Sequence, residues 1–313
     1  MKILFTGASS FTGYWFAKAL AEDGHEVICT YTATGANAYN DVRAERVQRL
    51  QTLVKPVFGM CFGDERFIQL IQAERFDLFC HHAADVTNYK AADFDVTAAL
   101  ANNTSNIYPT LSALAESGCK NIVLTGSVFE GGEGAGSQGL PHFSPYGLSK
   151  SLTAQVFEYY AERFGLGFGK FVIPNPFGVF EEPRFTAYLM KAWLKGDAPK
   201  VNTPDYIRDN IHVGLLALYY RFFCNEMGRH GLRKLAPSDI ACSQGMFTKQ
   251  LSSEVSARLN IPCDFELAKQ VDFSEPFMRL NTDRIQAITD SFSVSNAWDE
   301  FVAYYTGKYA VSG

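Results

Sequence analysis

Tyr146 and Lys150 stand four residues apart in Pro145-Tyr146-Gly147-Leu148-Ser149-Lys150, so on a helix they share one face. An ammonium one turn from a phenol favours the phenolate, which turns a group that ordinarily ionises at about pH 10 into an acid/base usable near neutrality. Thr125 closes the apolar run 121–125 and adds a hydroxyl that can orient a reacting oxygen. Taken alone, the pair also reads as two ordinary surface residues of a helix. A second constellation lies near the N-terminus, where Thr6-Gly7-Ala8-Ser9-Ser10-Phe11-Thr12-Gly13 follows the run Lys2-Ile3-Leu4-Phe5. Backbone amides at a strand-to-helix turn suit a pyrophosphate, and glycine lets the chain approach it.

These residues need a scaffold, and the alternation of short apolar runs with helical segments supplies one. Strands are expected at 2–5, 25–30, 57–62, 77–81, 121–125 and 169–173. Helices are expected at 14–22, 41–53, 65–74, 145–164 and through most of 91–117. Strand, helix, strand at this spacing means parallel pairing with right-handed crossovers, hence an α/β fold with a Rossmann-type doubly wound sheet. After Pro174 the rhythm changes: a helix-like stretch at 186–194, a strongly apolar helix at 213–223, then shorter mixed elements. The expected division is a dinucleotide-binding domain over 1–173 and about 205–235, with a smaller C-terminal α/β substrate lobe over 174–204 and about 236–313.

Composition narrows the function classes. The 313 residues carry 28 Lys plus Arg against 33 Asp plus Glu, a net charge of −5, with 47% hydrophobic residues. A mildly acidic chain without basic runs lacks the footprint of a nucleic-acid binder. No apolar stretch approaches the roughly 18 residues of a membrane span, and the first residues run into a glycine turn rather than a signal peptide, so a soluble cytoplasmic protein is expected. The seven cysteines are scattered without a C-x-x-C pair, which reads as buried free thiols, with no metal site.

Together these motifs resemble the extended short-chain dehydrogenase/reductases, the NAD(P)-dependent group of sugar-nucleotide epimerases, dehydratases and reductases. Gly7 and Gly13 match the family's nucleotide turn, with Ser10 where a middle glycine is usual; Ser9, Phe11 and Tyr31 complete the implied cofactor contacts. Gly63-Asp64 resembles the adenine-contacting Gly-Asp, and His82-Ala83-Ala84 the cofactor-lining His-x-Ala-Ala segment. Asn103 sits where the family places an asparagine behind the active site. Thr125, Tyr146 and Lys150 match its catalytic Ser/Thr, Tyr and Lys. Asn175 in Pro174-Asn175-Pro176-Phe177-Gly178, and Arg208 in Arg208-Asp209-Asn210-Ile211-His212-Val213, match its substrate segments. Arg208 is thereby assigned to a substrate pyrophosphate, whose oxygens suit a guanidinium fork. Arg279 is a second clamp or a surface arginine; Ser127 is a further substrate contact. Tyr188, Lys191 and His142 either touch the sugar or base or are structural.

The residues beside the triad sort the family's chemistries. Dehydratases of the group resemble one another in carrying acids just after the catalytic Thr, because eliminating water needs an acid and a base. Here the sequence reads Thr125-Gly126-Ser127, while Val128-Phe129-Glu130-Gly131 resembles the Val-Phe-Asp-Gly run of 4-keto-6-deoxy-sugar-nucleotide reductases. The leading expectation is therefore reduction of a 4-keto sugar nucleotide. The alternatives are an NAD-dependent sugar-nucleotide 4-epimerase and a non-catalytic cofactor-binding regulator. The second strand ends Cys29-Thr30-Tyr31-Thr32, without the acid that favours NAD, and Arg43 or Arg46 on the next helix can reach back, so NADP is expected, with NAD possible. The resemblance also implies a homodimer built on the helices of Asn103 and Tyr146. Leu152, Val156, Phe157 and Tyr160 either serve that contact or face the sheet.

Overall fold

A computed structural model describes residues 1–309, which divide into two compact units. The first comprises residues 1–133, 140–173 and 217–236. Its strands are β1 (Lys2–Thr6), β2 (Glu26–Tyr31), β3 (Lys55–Phe58), β4 (Leu78–His81), β5 (Asn121–Ser127) and β6 (Gly167–Ile173), all parallel. They lie in the order β6-β5-β4-β1-β2-β3, with the two-residue strand Lys234–Leu235 added outside β6. The order reverses beside β1, the place where such sheets open a crevice at the carboxyl ends of their strands. Helices α1 (Phe11–Glu22), α2 (Asp41–Leu50), α3 (Glu65–Ala73), α4 (Val96–Asn103), α5 (Ile107–Glu116) and α6 (Pro145–Arg163) make the crossovers. One face of the sheet packs Leu4, Ile28, Phe79, Ile122 and Leu124 against Phe67, Leu111 and Phe157 of α3, α5 and α6.

Several elements differ from the sequence reading for identifiable reasons. The third strand occupies Lys55–Phe58 rather than 57–62, because Gly59 adopts φ +65° and turns the chain. The long helix expected over 91–117 is two helices, broken where Asn106 takes φ +48° and its side-chain amide donates to the Gly63 carbonyl. The apolar helix expected at 213–223 continues to His230. Phe157 is fully buried, and Val156 and Tyr160 are partly buried against the same core. Cys61 is exposed and Cys242 half-buried, whereas the other five thiols are buried.

The second unit comprises 134–139, 174–216 and, among the described residues, 237–309. Its central strand Ile207–His212 pairs parallel with Asn175–Phe177 and Met278–Arg279, and antiparallel with Ile240–Ser243. That pairing moves 205–216 out of the sheet domain expected to hold them; the return to the first unit begins only at residue 217. A core of Phe177, Trp193, Phe247, Trp298 and Phe301 joins its helices.

Candidate active site

The glycine turn is built as a cradle. Gly7 has φ +82°, and a Cβ there would lie 2.7 Å from the Ala83 amide nitrogen, so neither its conformation nor its space admits a side chain. Gly13 would meet the Gly7 carbonyl at 2.2 Å. Ser10, in place of a middle glycine, caps α1: its Oγ accepts from the Gly13 amide and donates to the Gly7 carbonyl at 2.8 Å. The remaining first-turn amides lack intrahelical partners and bear the positive end of the helix dipole. Phe11 is buried at the head of α1. Arg46, fully buried on α2, reaches back to donate from Nε to the Ser9 carbonyl at 2.9 Å, whereas Arg43 is exposed.

The segment after β4 closes over this turn. Thr6 Oγ1 accepts from the amides of both His82 and Ala83 at 3.2 Å. The adjacent histidines diverge. His81 points into the core between Phe62 and Phe157, its Nδ1 3.0 Å from Thr6 Oγ1. His82 points the other way, with Nε2 3.0 Å from Ser10 Oγ and 3.1 Å from Thr12 Oγ1, and Nδ1 2.9 Å from Thr125 Oγ1. Burial, and then the nearby Lys150 charge, push the His82 pKa down to about 3, so the ring is neutral. At the Gly63-Asp64 pair, a Cβ on Gly63 would strike the Ser105 carbonyl at 2.1 Å, and Asp64 accepts from the Cys61 amide. Tyr31 is buried, its ring stacked on Phe58.

Thr125 and Lys150 meet near the end of β5. Lys150 Nζ donates to the Thr125 carbonyl at 2.7 Å, and burial lowers its pKa to about 8, opposed by the Glu130 carboxylate. Asn103 ties the loop after β4 to α6: its Oδ1 accepts from the Asp85 amide at 2.8 Å and its Nδ2 donates to Thr153 at 3.3 Å. Tyr146, one turn before Lys150, is half-exposed, its ring edge-on to Tyr89 and Phe94. The Ser127 amide donates to Glu130 and its hydroxyl accepts from the Phe129 amide. A cluster the sequence reading missed lies beneath: Lys170 pairs with Glu130 at 2.5 Å and Glu133 at 2.8 Å, and Glu133 also with Lys234. Its signal was Glu130 itself, a carboxylate between apolar residues and paired glycines. A Cβ on Gly126 would lie 2.7 Å from Lys170 Cε and 2.9 Å from Glu130 Oε1, so the cluster accounts for the bare position after Thr125.

The other expected residues belong to the second unit. Asn175 lies on a strand beside Asn210. Arg208 and Arg279 are direct neighbours on paired strands, both buried, so Arg279 is not a surface arginine. The Arg208 guanidinium donates to Glu275 at 2.8 Å and to the Ile207, Pro276 and Phe277 carbonyls, and stacks on Tyr206. It borders a cavity of about 500 Å³ lined also by Tyr188, Lys200, Asn202 and Gln244. Tyr188 thus lies at this cavity, its hydroxyl accepting from the Lys200 amide, while His142 packs against Gly131 in the first unit. Among the described residues no cluster of His, Cys, Asp or Glu is arranged to hold a metal ion, and no helix is long and apolar enough to cross a membrane.

Comparison with known proteins places this architecture. The chain is similar to the UDP-glucuronic acid 4-epimerase of Bacillus cereus, solved with UDP-glucuronic acid and NAD (TM-score 0.73, 17% identity, 99% of this chain and 100% of that one). It is similar to the UDP-glucose 4-epimerase of Thermotoga maritima, solved with UDP-glucose (0.73, 17%, 98% and 99%). A third is the UDP-N-acetylglucosamine 4-epimerase of Methanobrevibacter ruminantium M1, in complex with UDP-N-acetylmuramic acid (0.71, 15%, 98% and 98%). At such identities the likeness establishes the fold. No curated protein matches the sequence significantly. The model of the NAD dependent epimerase/dehydratase family matches residues 3–227, so the Gly7 turn, the Thr125–Lys150 contact and Tyr146 all fall within a chain that belongs to that enzyme family.

Proposed function

We propose that the protein removes and returns hydride at carbon 4 of a nucleotide-linked sugar, an NAD(P)-dependent 4-epimerisation. In this reading the first unit holds the dinucleotide and the second the sugar nucleotide. The observation that carries it is the Lys150 ammonium fixed on the Thr125 carbonyl one turn behind Tyr146, in a chain of the NAD dependent epimerase/dehydratase family. The three 4-epimerases above support the choice of carbon 4 and of a nucleoside diphosphate.

The residues fit a dinucleotide: the Gly7 cradle, the α1 N-terminus and the Ala83 backbone suit a pyrophosphate. When bound, its nicotinamide supplies the hydride acceptor and donor. Tyr146 takes the proton of the sugar hydroxyl and later returns it, and the Lys150 charge stabilises the phenolate between those steps. Arg46 beside Ser9, with no acid at the end of β2, favours NADP over NAD. Arg208 and Arg279 form the diphosphate clamp, with Asn175 as a further substrate contact.

A second reading, net reduction of a 4-keto sugar nucleotide, is favoured by Gly126 and by Val128-Phe129-Glu130-Gly131. One experiment separates them. Purified protein is incubated with UDP- and dTDP-hexoses and NAD or NADP, and separately with a 4-keto-6-deoxy nucleotide sugar and NADPH. Carbon-4 epimers without net cofactor consumption support epimerisation, whereas stoichiometric NADPH oxidation supports reduction. Turnover in neither arm favours a non-catalytic regulator. In this proposal the protein is a cytoplasmic homodimer through α4 and α6, checked by light scattering.

A further inference from the structure

His82 is the second of two adjacent histidines, and its two ring nitrogens face different parts of the site. Nε2 faces the glycine turn through Ser10 and Thr12, and Nδ1 faces the Thr125 hydroxyl. Phe5 stacks along one side of the ring and Phe16 abuts it edge-on, so the ring is held by packing as well as by polar contacts.

Proton accounting selects one tautomer. Ser10 Oγ has a single proton and donates it to the Gly7 carbonyl at 2.8 Å. At 3.0 Å from His82 Nε2, the same oxygen then needs a proton from the ring, or two lone pairs would face one another. Nε2 therefore carries the hydrogen, which it directs at Ser10 with Thr12 alongside. In a neutral imidazole Nδ1 is then an acceptor, and the only proton available across its 2.9 Å contact is that of Thr125. The buried Tyr220 phenol, also beside Thr125, keeps its own proton because desolvation raises its pKa well above the usual value. A neutral phenol has that proton to give to the Thr125 oxygen, which leaves the threonine's own proton for Nδ1.

From this chain of contacts we infer that His82 is a positioning residue for Thr125: anchored through Nε2–H on the cofactor turn, it draws the Thr125 proton to Nδ1 and leaves the threonine oxygen as a hydrogen-bond acceptor. The inference rests on the reading that Thr125 meets the reacting oxygen of the sugar. The same arrangement links the turn to the reaction centre through one side chain.

Two measurements test it. Nitrogen-15 NMR of histidine-labelled full-length protein, with His82 assigned by loss of its signals in His82→Asn, should give the Nε2–H tautomer, with an Nδ1 shift that moves in Thr125→Val. An Nδ1–H tautomer, or an Nδ1 shift indifferent to Thr125→Val, overturns the inference. Kinetically, His82→Phe keeps the packing but removes both nitrogens. It should lower kcat about 10- to 100-fold through mispositioning, with the sugar-nucleotide KM within a few-fold. His82→Asn, whose side-chain oxygen can still accept from Thr125, should recover most of the loss, and in a Thr125→Val background His82→Phe should cost little more. Additive losses, or equal failure of Asn and Phe, overturn it. Wild-type protein that shows the expected tautomer but converts no nucleotide sugar overturns the proposed activity and leaves the positioning intact; an active enzyme with the other tautomer does the reverse.

Discussion

Lys150 Nζ and the Thr125 carbonyl oxygen lie 2.7 Å apart, so the helix that carries Tyr146 is fastened by a charged hydrogen bond to the strand end that carries the triad's hydroxyl. This fixes the Lys150 side chain on the strand before any ligand arrives.

Lys150→Met should therefore lower turnover by about 10²–10⁴-fold. It should also change the pH dependence of stability. Burial holds the native Lys150 pKa down to about 8, against 10.5 ordinarily. Between those values the unfolded chain binds the proton and the native protein does not, so wild-type stability rises with pH through that window. Relative to Lys150→Met, urea unfolding should show wild type gaining roughly 3 kcal/mol from pH 8 to 10.5, and no trend below pH 8. A flat difference would mean that the ammonium is better solvated than its burial implies.

Tyr146→Phe removes the proton carrier and leaves the glycine turn untouched. Turnover should fall below detection while the thermal shift produced by NAD or NADP is unchanged. Residual activity within about tenfold of wild type would assign the acid/base role to another group.

Gly7→Ala puts a methyl group 2.7 Å from the Ala83 amide nitrogen, at a backbone angle of +82°. The strain alone costs about 1–3 kcal/mol. The melting temperature should drop, and the cofactor-induced shift should shrink more than the loss of stability explains.

Gly126→Asp tests why the position after Thr125 is bare. The new carboxylate would crowd Lys170 Cε and stand beside Glu130 Oε1. Overpacking costs about 1–3 kcal/mol, with like-charge repulsion added to it. The variant should be less stable than Gly126→Ala and should gain no dehydration of a sugar nucleotide; equal stability would show that the Glu130–Lys170 pair moves aside.

In the second unit, Glu275 lies where a phosphate would compete for Arg208. Glu275→Gln should tighten binding of UDP or dTDP measured by calorimetry. Arg208→Met should weaken it by at least about tenfold, the scale of one lost charge-assisted hydrogen bond.

The sheet was legible because its strands are apolar runs separated by helices of ordinary length, and the turn because Gly7 and Gly13 follow the first of them. The break at Asn106 was not, since a single left-handed residue leaves no trace in hydrophobic periodicity. Tyr146 and Lys150 were found by spacing on one helix. The opposite facing of His81 and His82 was hidden because it depends on which strand face each occupies and on what packs there. Lys170 went unnoticed for a related reason: a lysine in an apolar strand reads as an edge residue until Glu130 and Glu133, distant in sequence, are placed beside it.

The outermost strand, Lys234–Leu235, pairs with Lys170–Phe171 across an intervening excursion into the other unit. During synthesis at about 5–20 residues per second, the stretch of about 60 residues between them takes on the order of 3–12 s. For that interval the emerging sheet has an open flank. Lys170 stands on that flank with Glu130 and Glu133, both made before it, and a charged cluster there discourages a second nascent chain from adding itself before the proper strand is made.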